Sequence, residues 1–191
     1  MCRKVLEDDG ATEEEIEEEL AIIKVQLAYC LHQQGKIKDA ATIYSDALKQ
    51  KSSDVALVAV ASNNTVTINK DQNVFDSKKK IRAAMTEACA QKLNSRQNKI
   101  IALNNCLLAL YTNQADQCHQ NVSKLVQTYP EIEFEGLLIR VSSLANDKKY
   151  KEAVELLETY ASKNPINSLA SKFAIVQLLL LNVSSLNFVI E

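Results

Sequence analysis

The residues best suited to do chemistry form a basic cluster between Lys78 and Lys99. Seven lysines and arginines fall in this stretch against one acidic residue, Glu87. Closely spaced cations bind phosphates or acidic protein surfaces, so the cluster predicts a contact with nucleic acid or with an acidic partner. The alternative is a solvated helix face, because no aromatic residue inside the stretch could stack on a base. The candidate partner or RNA surface comprises Lys78, Lys79, Lys80, Arg82 and the preceding Phe75. The alternative for Phe75 is that its ring packs back onto the array.

Amide and amine side chains form a second candidate surface. They recur on the segments that we predict below as the first helices of helix pairs, and they would face the concave side of an array: Lys24, Asn63, Asn64, Lys99, Asn104 and Asn105. Such groups could clamp a peptide carboxylate or a phosphate. The sequence does not contain a complete clamp pattern, so the ligand stays open.

The histidines and cysteines do not predict catalysis. His32 and His119 lie at the ends of apolar helical patterns, where a satisfied or solvent-facing imidazole is the simpler interpretation. Five cysteines without a C-x-x-C pair argue against a disulfide scaffold and against a zinc site, and they indicate free thiols in a reducing compartment. We therefore expect no enzymatic activity, no cofactor, no metal and no small-molecule substrate.

The composition indicates which elements must position these residues. The chain has 191 residues, of which 47% are hydrophobic, with only 3 Gly and 2 Pro and no Trp. Because sheets need many turns and turns use Gly and Pro, these counts favour an all-α fold. The apolar stretch from Phe173 to Ile190 is interrupted by polar residues, so we expect no membrane insertion.

The net charge of −2 conceals an acidic beginning. Nine acidic residues and no basic residue lie between Glu7 and Glu19, and the rest of the chain has 22 basic against 15 acidic residues. We interpret residues 1–12 as a solvated acidic lead-in, with an interaction tail as the alternative. Thr12 and Glu15 then have the spacing of a capping box for a first helix.

Apolar periodicity predicts pairs of helices. Residues 16–31 and 37–48 read as two helices joined at Gly35, with one apolar face of the first formed by Ile16, Leu20, Ile23, Leu27 and Leu31. The same layout returns twice, once before Pro130 and once between Pro130 and Pro165. These prolines are 35 residues apart, close to the period of tetratricopeptide repeats.

Small residues recur at fixed offsets within these pairs. The same spacing is found in three sets of residues: Ala28, Ala40, Tyr44 and Ala47; Cys106, Cys118, Val122 and Leu125; and Val141, Ala153, Leu157 and Tyr160. Helices that cross closely need small residues at the crossing and a larger residue to fill the gap beside it. The pattern predicts a tetratricopeptide-like helical-hairpin solenoid of about four to five repeats over residues 13–191.

The predicted repeats cover residues 21–54, 55–96, 97–131, 132–166 and, in part, 167–191. The second is irregular: residues 55–68 read as its first helix, the polar segment 69–80 as an insertion, and residues 81–93 as its return helix. The array lacks an obvious polar C-terminal cap, which predicts a fragment or a truncated isoform.

Three stretches resemble a known family: TINKDQNVFDSKKK from Thr67 to Lys80, ELAIIKVQLAYCL from Glu19 to Leu31, and LLALYTNQADQC from Leu107 to Cys118. They are similar to the middle repeats of the seventy-two-kilodalton subunit of the signal recognition particle. The resemblance covers nearly the whole chain and accounts for the insertion, which that family carries inside a repeat.

The resemblance implies a non-catalytic scaffold that supports co-translational targeting of secretory and membrane proteins to the endoplasmic reticulum. It implies the sixty-eight-kilodalton subunit and the particle RNA as partners, although the family places those contacts in the first repeats and in a lysine-rich tail. It also implies a cytoplasmic particle that reaches the nucleolus and the surface of the endoplasmic reticulum. The alternative function is a cytosolic peptide-binding adaptor, similar to co-chaperone modules, that holds short acidic C-terminal peptides.

Overall fold

The structure, a computed structural model, describes residues 2–50 and 52–187 of the chain. Over these ranges the backbone forms eleven α-helices and no strand, which confirms the all-α fold class. Short 3-10 turns at Pro130–Ile132 and Pro165–Asn167 precede the helices that begin at Glu133 and Ser168. The helices are Cys2–Asp8 (α1), Glu13–Gln33 (α2), Ile37–Lys49 (α3), Val55–Asn69 (α4), Val74–Ala84 (α5), Glu87–Lys92 (α6), Ser95–Tyr111 (α7), Ala115–Thr128 (α8), Glu133–Asn146 (α9), Tyr150–Lys163 (α10) and Ser168–Asn187 (α11).

The chain divides into two compact units, residues 1–104 and 105–191, and the division falls within α7. In the first unit α2, α3, α4 and α5 pack successively, each against the next. In the second unit α8, α9, α10 and α11 do the same. Successive packing of this kind is the arrangement of helical hairpins. The repeat boundaries given above stay a prediction, and the last part of the fifth repeat, residues 188–191, lies outside the described residues.

The first hairpin is built around small residues. Gly35 has a φ of +76° and ends α2 with the left-handed backbone that glycine adopts without strain. Ala28, Ala40 and Tyr44 are fully buried, and they pack in one cluster with Ala47 and with residues of α4. Alanine at the crossing lets the two backbones approach closely, while the Tyr44 ring fills the space beside it. The predicted burial of these positions is confirmed.

The predicted apolar face of α2 is largely wrong. Of the stripe Ile16, Leu20, Ile23, Leu27 and Leu31, only Ile16 is buried, and Ile23 and Leu27 are 44% and 52% exposed. The helix instead buries Ile16, Ala21, Val25 and Ala28. Close helix contact selects the side that carries alanines, so Ile23 and Leu27 turn outward, whereas Leu31 is half-buried against the core cluster.

The acidic beginning of the chain is helical, and Arg3 pairs with several of its carboxylates. Arg3 of α1 donates from Nε to Glu7 at 3.0 Å and from Nη1 to Glu17 at 3.2 Å, and it also pairs with Glu13. The carboxylates of α1 and of the first turns of α2 are therefore drawn together around one guanidinium. Whether residues 1–12 act as a solvated lead-in stays a prediction.

The segment after α4 differs from the predicted insertion and return helix. Helix α5 begins at Val74, inside the predicted insertion 69–80, and α5 rather than the later α6 makes the main contact with α4. The predicted helix over residues 81–93 is interrupted after Ala84, and Thr86 caps a separate α6 by accepting a hydrogen bond from the Cys89 N–H. The apolar period of α5 is hard to recognise in the sequence, because one of its buried positions is the polar Ser77. Ser77 is fully buried, and its Oγ accepts a hydrogen bond from Asn69 Nδ2 at 3.2 Å.

The second unit repeats the small-residue crossing. Cys106 and Cys118 are buried, and the Cys118 thiol donates to the Cys106 carbonyl at 3.8 Å, so α8 crosses close to the end of α7. At the crossing of α8 and α9, a Cβ on Gly136 would lie 2.6 Å from Val126 Cγ2. Further along, Ala153 and Leu157 of α10 are fully buried against Val141 of α9, as their shared offsets predicted.

Candidate partner-binding surfaces

Helix α5 presents three exposed side chains on one side. Phe75, Lys79 and Arg82 are spaced by four and three residues, which places them next to one another on a helix surface. Phe75 is 86% exposed, so it does not pack back onto the neighbouring helices. We call these three residues the α5 outer face. The opposite side of the helix buries Ser77, Ile81 and Ala84.

The four predicted cations of α5 are not equivalent. Lys80 Nζ donates to Asp76 Oδ1 at 2.6 Å, and its side chain is only 24% exposed. Lys78 is half-buried, whereas Lys79 and Arg82 are exposed. A ligand that approaches from solvent therefore meets Lys79 and Arg82 first, with Phe75 beside them.

The structure separates the rest of the basic cluster from the α5 outer face. Lys92 is exposed at the end of α6, and Lys99 is half-buried on α7. Arg96, in the first turn of α7, lines a groove in the first unit instead. The continuous run of cations in the sequence is therefore distributed over three helices.

The groove that contains Arg96 has a volume of about 800 Å³, within the range typical of ligand clefts. Its walls come from α2, α4 and the beginning of α7, and residues of all three helices are half-buried or exposed at its surface. We call it the amide groove. Six of the residues that line it are Tyr29, Asn63, Asn64, Arg96, Gln97 and Asn104.

Three asparagines form a hydrogen-bonded row in the amide groove. Asn104 Nδ2 donates to Asn63 Oδ1 at 2.9 Å, and Asn63 Nδ2 donates to Asn64 Oδ1 at 3.1 Å. Asn64 Nδ2 then donates to the Tyr44 hydroxyl at 3.0 Å. Burial raises the pKa of Tyr44, and the hydrogen bond from Asn64 acts in the opposite direction. The phenol thus remains a neutral anchor at the end of the row.

The structure brings together part of the predicted concave set. Asn64 and Asn104 line the groove with Asn63, whereas Lys24 and Lys99 are not among its lining residues. Lys24 Nζ donates to Glu17 Oε2 at 3.2 Å. The predicted clamp therefore keeps three of its four amides and lacks Asn105 and its two lysines.

Sequence reasoning missed Tyr29 and counted Arg96 only within the basic stretch from Lys78 to Lys99, without connecting it to the amides. Tyr29 is 51% exposed beside Cys30 on the groove side of α2. The position of Arg96 follows from the start of α7, where Asn94 and Gln97 exchange hydrogen bonds between side chains and backbone N–H groups at 2.9 and 3.0 Å. This reciprocal pattern resembles a capping box, and the N-x-x-Q spacing before an apolar helix was a usable signal.

A smaller acidic cleft lies beside α2. Glu14, Glu17 and Glu18 line it together with Gln50 and Ser52. Two of its three carboxylates have protein partners: Gln50 Nε2 donates to Glu17 at 3.3 Å, and the Ser53 hydroxyl donates to Glu18 at 2.6 Å. In the described part of the chain no group of His, Cys, Asp and Glu is arranged to hold a metal ion. None of the helices described there combines the length and apolar content needed to span a bilayer.

The helices of each unit, packed as consecutive hairpins with small residues at their crossings, define an all-α protein of the helical-hairpin solenoid class. Proteins of this class present extended surfaces on which partners bind.

No family model matches the chain. The chain is 42% identical to "Signal recognition particle subunit SRP72" of Canis lupus familiaris over 179 residues, which are 93% of this chain and 26% of that protein. The human protein of the same name gives the same identity and coverage. The Schistosoma mansoni protein is 42% identical over 82% of the chain and 22% of its own length.

The chain therefore belongs to the family of the SRP72 subunit of the signal recognition particle, as the resemblance of its sequence indicated. It spans 26% of the length of the canine and human relatives.

Proposed function

We propose that this chain is a non-catalytic scaffold segment of the signal recognition particle, built of tetratricopeptide repeats. In this role it supports co-translational targeting of secretory and membrane proteins to the endoplasmic reticulum from the cytoplasm. The observation that carries the proposal is the 42% identity to the canine SRP72 subunit over 93% of the chain. A scaffold acts by holding partners through shape and charge, so its function depends on its surfaces.

The α5 outer face is the surface that we propose for RNA. An exposed aromatic ring stacks on an unpaired base, and neighbouring cations neutralise phosphates, which together bind single-stranded RNA without base-specific contacts. Phe75 supplies the ring, and Lys79 and Arg82 supply the cations from the same side of the helix. We propose that the unpaired parts of the particle RNA bind there.

We propose that protein contacts within the particle, including the sixty-eight-kilodalton subunit, are separate from this RNA contact. On α5 the buried side is occupied by its packing on α4, so the outer face is the side of this helix that is open to the RNA, and the protein partners bind elsewhere. Reversing exposed charges there leaves the helical core unchanged, which makes the surface suitable for substitution experiments.

The RNA proposal is tested by titrating the purified chain with particle RNA at a series of salt concentrations. Each phosphate neutralised on a single strand contributes about 0.7 to the slope of log affinity against log salt. We expect Lys79→Gln to reduce the magnitude of this slope by roughly 0.7. We expect Phe75→Ala to weaken RNA binding by about 1–3 kcal/mol at constant salt, because the stacked ring is lost.

Lys80→Gln is the matched control. It removes a lysine from the same helix, but the ammonium of Lys80 is paired with Asp76. We expect the salt slope of Lys80→Gln to lie closer to wild type than that of Lys79→Gln. Equal slopes for wild type, Lys79→Gln and Arg82→Gln would remove the α5 outer face from the mechanism.

A further inference from the structure

The contact between α8 and α9 contains an arginine whose hydrogen bonds are incomplete. Arg140 Nη2 donates to Ser123 Oγ at 2.7 Å, whereas the Nε–H of the same guanidinium is buried without a hydrogen-bond partner. Among residues 2–50 and 52–187, no carboxylate lies within ion-pair distance of Arg140. A buried donor on a charged group is costly to leave unpaired, so it points to an acceptor that the chain itself does not supply.

The close approach of the two helices fixes the position of Arg140. Gly136 lies one turn before Arg140 on α9. A Cβ on Gly136 would lie 2.6 Å from Val126 Cγ2 and 3.2 Å from Val122 Cγ1 of α8. Because residues four apart share one side of a helix, Arg140 faces α8 as well. The guanidinium is therefore held against α8 by the packing of the backbones.

The two nitrogens of Arg140 that face this contact form one edge of the guanidinium. Nε and Nη2 lie on the same side of the planar group, and their N–H bonds point in parallel. Carboxylates and phosphates bind such an edge with two oxygens at once. Ser123 Oγ is a single oxygen, and it accepts from Nη2 alone. The edge is thus suited to a group that carries two or more oxygens.

Two further polar groups lie beside this edge. The Ser123 hydroxyl donates to the His119 carbonyl at 2.8 Å, and a hydroxyl can rotate to donate to another oxygen instead. His119 lies one turn before Ser123 on α8, and its Nε2 is also buried without a hydrogen-bond partner. Ser123 is exposed, so a group from solvent reaches this place at Ser123. We call Arg140, Ser123 and His119 the α8–α9 junction.

We propose that the α8–α9 junction binds the phosphoryl group of inorganic phosphate or of a phosphate monoester. The edge of the Arg140 guanidinium takes two oxygens, and the Ser123 hydroxyl or the His119 imidazole takes a third. A monoester has three terminal oxygens and a charge of roughly −1.5 to −2 at neutral pH. The phosphodiester of RNA has two terminal oxygens and a single charge, so it fits the junction less well. This site is independent of the RNA contact proposed for the α5 outer face.

The proposal is tested by titrating the purified chain with inorganic phosphate in a calorimeter, with sodium chloride keeping the ionic strength constant. We expect saturable binding with a Kd on the order of 1 mM, the affinity that a few charge-assisted hydrogen bonds support. Dimethyl phosphate represents the diester of RNA. We expect it to bind at least about fivefold more weakly, which is the effect of losing one hydrogen bond.

Two variants of the junction are each compared with a matched control. Arg140→Gln removes the charge and the paired donors, and we expect it to weaken phosphate binding at least about tenfold. Lys124→Gln removes an exposed cation next to the junction on α8 and is expected to bind like wild type.

Ser123→Asp places a carboxylate beside Arg140, where it pairs with the guanidinium and repels phosphate. We expect this variant to fold, which circular dichroism verifies, and to lose phosphate binding. Gln120→Asp adds the same charge at an exposed position of α8 and is expected to bind like wild type.

The proposal is overturned if phosphate does not bind saturably below about 20 mM, or if dimethyl phosphate binds as tightly as phosphate. It is also overturned if Arg140→Gln binds as well as Lys124→Gln, or if Ser123→Asp binds as well as Gln120→Asp. Loss of phosphate binding in Lys79→Gln but not in Arg140→Gln would assign the anion to the α5 outer face instead. None of these results would affect the RNA titration, which uses a different surface.

Discussion

Alanine and cysteine at the helix crossings are the residues on which the fold depends most. Ala28, Ala40 and Cys118 have no side-chain exposure or almost none, and each lies where two helices meet. Their positions were predictable, because the offsets between them recur along the sequence. The outward turn of Ile23 and Leu27 was not predictable from periodicity, since it depends on which side of α2 the partner helix approaches most closely.

Ala40→Leu is predicted to destabilise the first hairpin. Ala40 is fully buried in the cluster of Ala28, Tyr44 and Ala47, so a larger side chain has no space without displacing α3. Overpacking of this kind costs about 1–3 kcal/mol in the free energy of unfolding, which urea denaturation measures. Ala170→Leu, at an exposed position of α11, is the matched control and is expected to change stability little. Equal stability of both variants would contradict the crossing assignment.

The buried thiol of Cys106 predicts a loss of stability in alkali. Burial, reinforced by the nearby Cys118, raises the pKa of Cys106 from the ordinary 9.0 to about 12. The unfolded chain loses this proton near pH 9.0 while the native protein keeps it, so deprotonation favours the unfolded state. The free energy of unfolding therefore falls as pH rises from 9 towards 12, by at most about 1.4 kcal/mol per pH unit.

Cys106→Ser tests this dependence, because a hydroxyl does not titrate in this range. We expect its stability, measured by urea denaturation between pH 9 and the ordinary tyrosine pKa of about 10, to fall less steeply than that of wild type. Cys30→Ser, which removes an exposed thiol, is expected to keep the wild-type slope. A Cys106→Ser slope equal to wild type would show that this thiol ionises normally in the native protein.

At the scale of the elements, caps and prolines made most helix boundaries predictable. Gly35 and the turns at Pro130 and Pro165 separate helices where the sequence places them. The segment around α5 was mispredicted because its polar composition suggested a loop. Its buried side includes Ser77, which accepts a hydrogen bond from Asn69, and composition alone cannot reveal that a serine is buried.

The capping box of α2 gives a prediction for one element. The Thr12 N–H donates to Glu15 Oε2 at 2.8 Å, and the Glu15 N–H donates to Thr12 Oγ1 at 3.3 Å. The bond from the Thr12 N–H, together with the Thr12 hydroxyl that donates to Glu15 Oε2 at 2.9 Å, holds the pKa of Glu15 below its ordinary value. We expect Thr12→Ala to lower the free energy of unfolding by about 0.5–2 kcal/mol, because the Glu15 N–H at the start of α2 loses its acceptor.

Thr42→Ala provides the matched control for this cap. Thr42 lies inside α3, where its hydroxyl donates to the Lys38 carbonyl at 3.0 Å. Alanine is the better helix former at such an interior position, so Thr42→Ala is expected to be neutral or slightly stabilising. Both are measured by thermal denaturation followed by circular dichroism. If the two variants lose the same stability, the box does not contribute specifically.

At the scale of the whole molecule, the fold class and the family were both accessible from the sequence. The recurring offsets predicted hairpins, and the stretch from Thr67 to Lys80 pointed to the family that the canine and human relatives establish. The surfaces were accessible only in part. The amides of the groove were recognised as a set, but the roles of Arg96 and Lys80 depend on local contacts that the basic stretch alone does not reveal: the α7 cap and the pair with Asp76.

The central proposal is that the chain is a scaffold within the particle and that the α5 outer face is its RNA contact. The most direct measurement is a pull-down in which the immobilised chain is offered the particle RNA and the sixty-eight-kilodalton subunit separately. We predict that wild type retains the RNA and that the double variant Lys79→Glu, Arg82→Glu releases it while keeping its helical circular dichroism spectrum. Failure of wild type to retain the RNA, or undiminished RNA retention by the double variant, would contradict the proposed RNA contact.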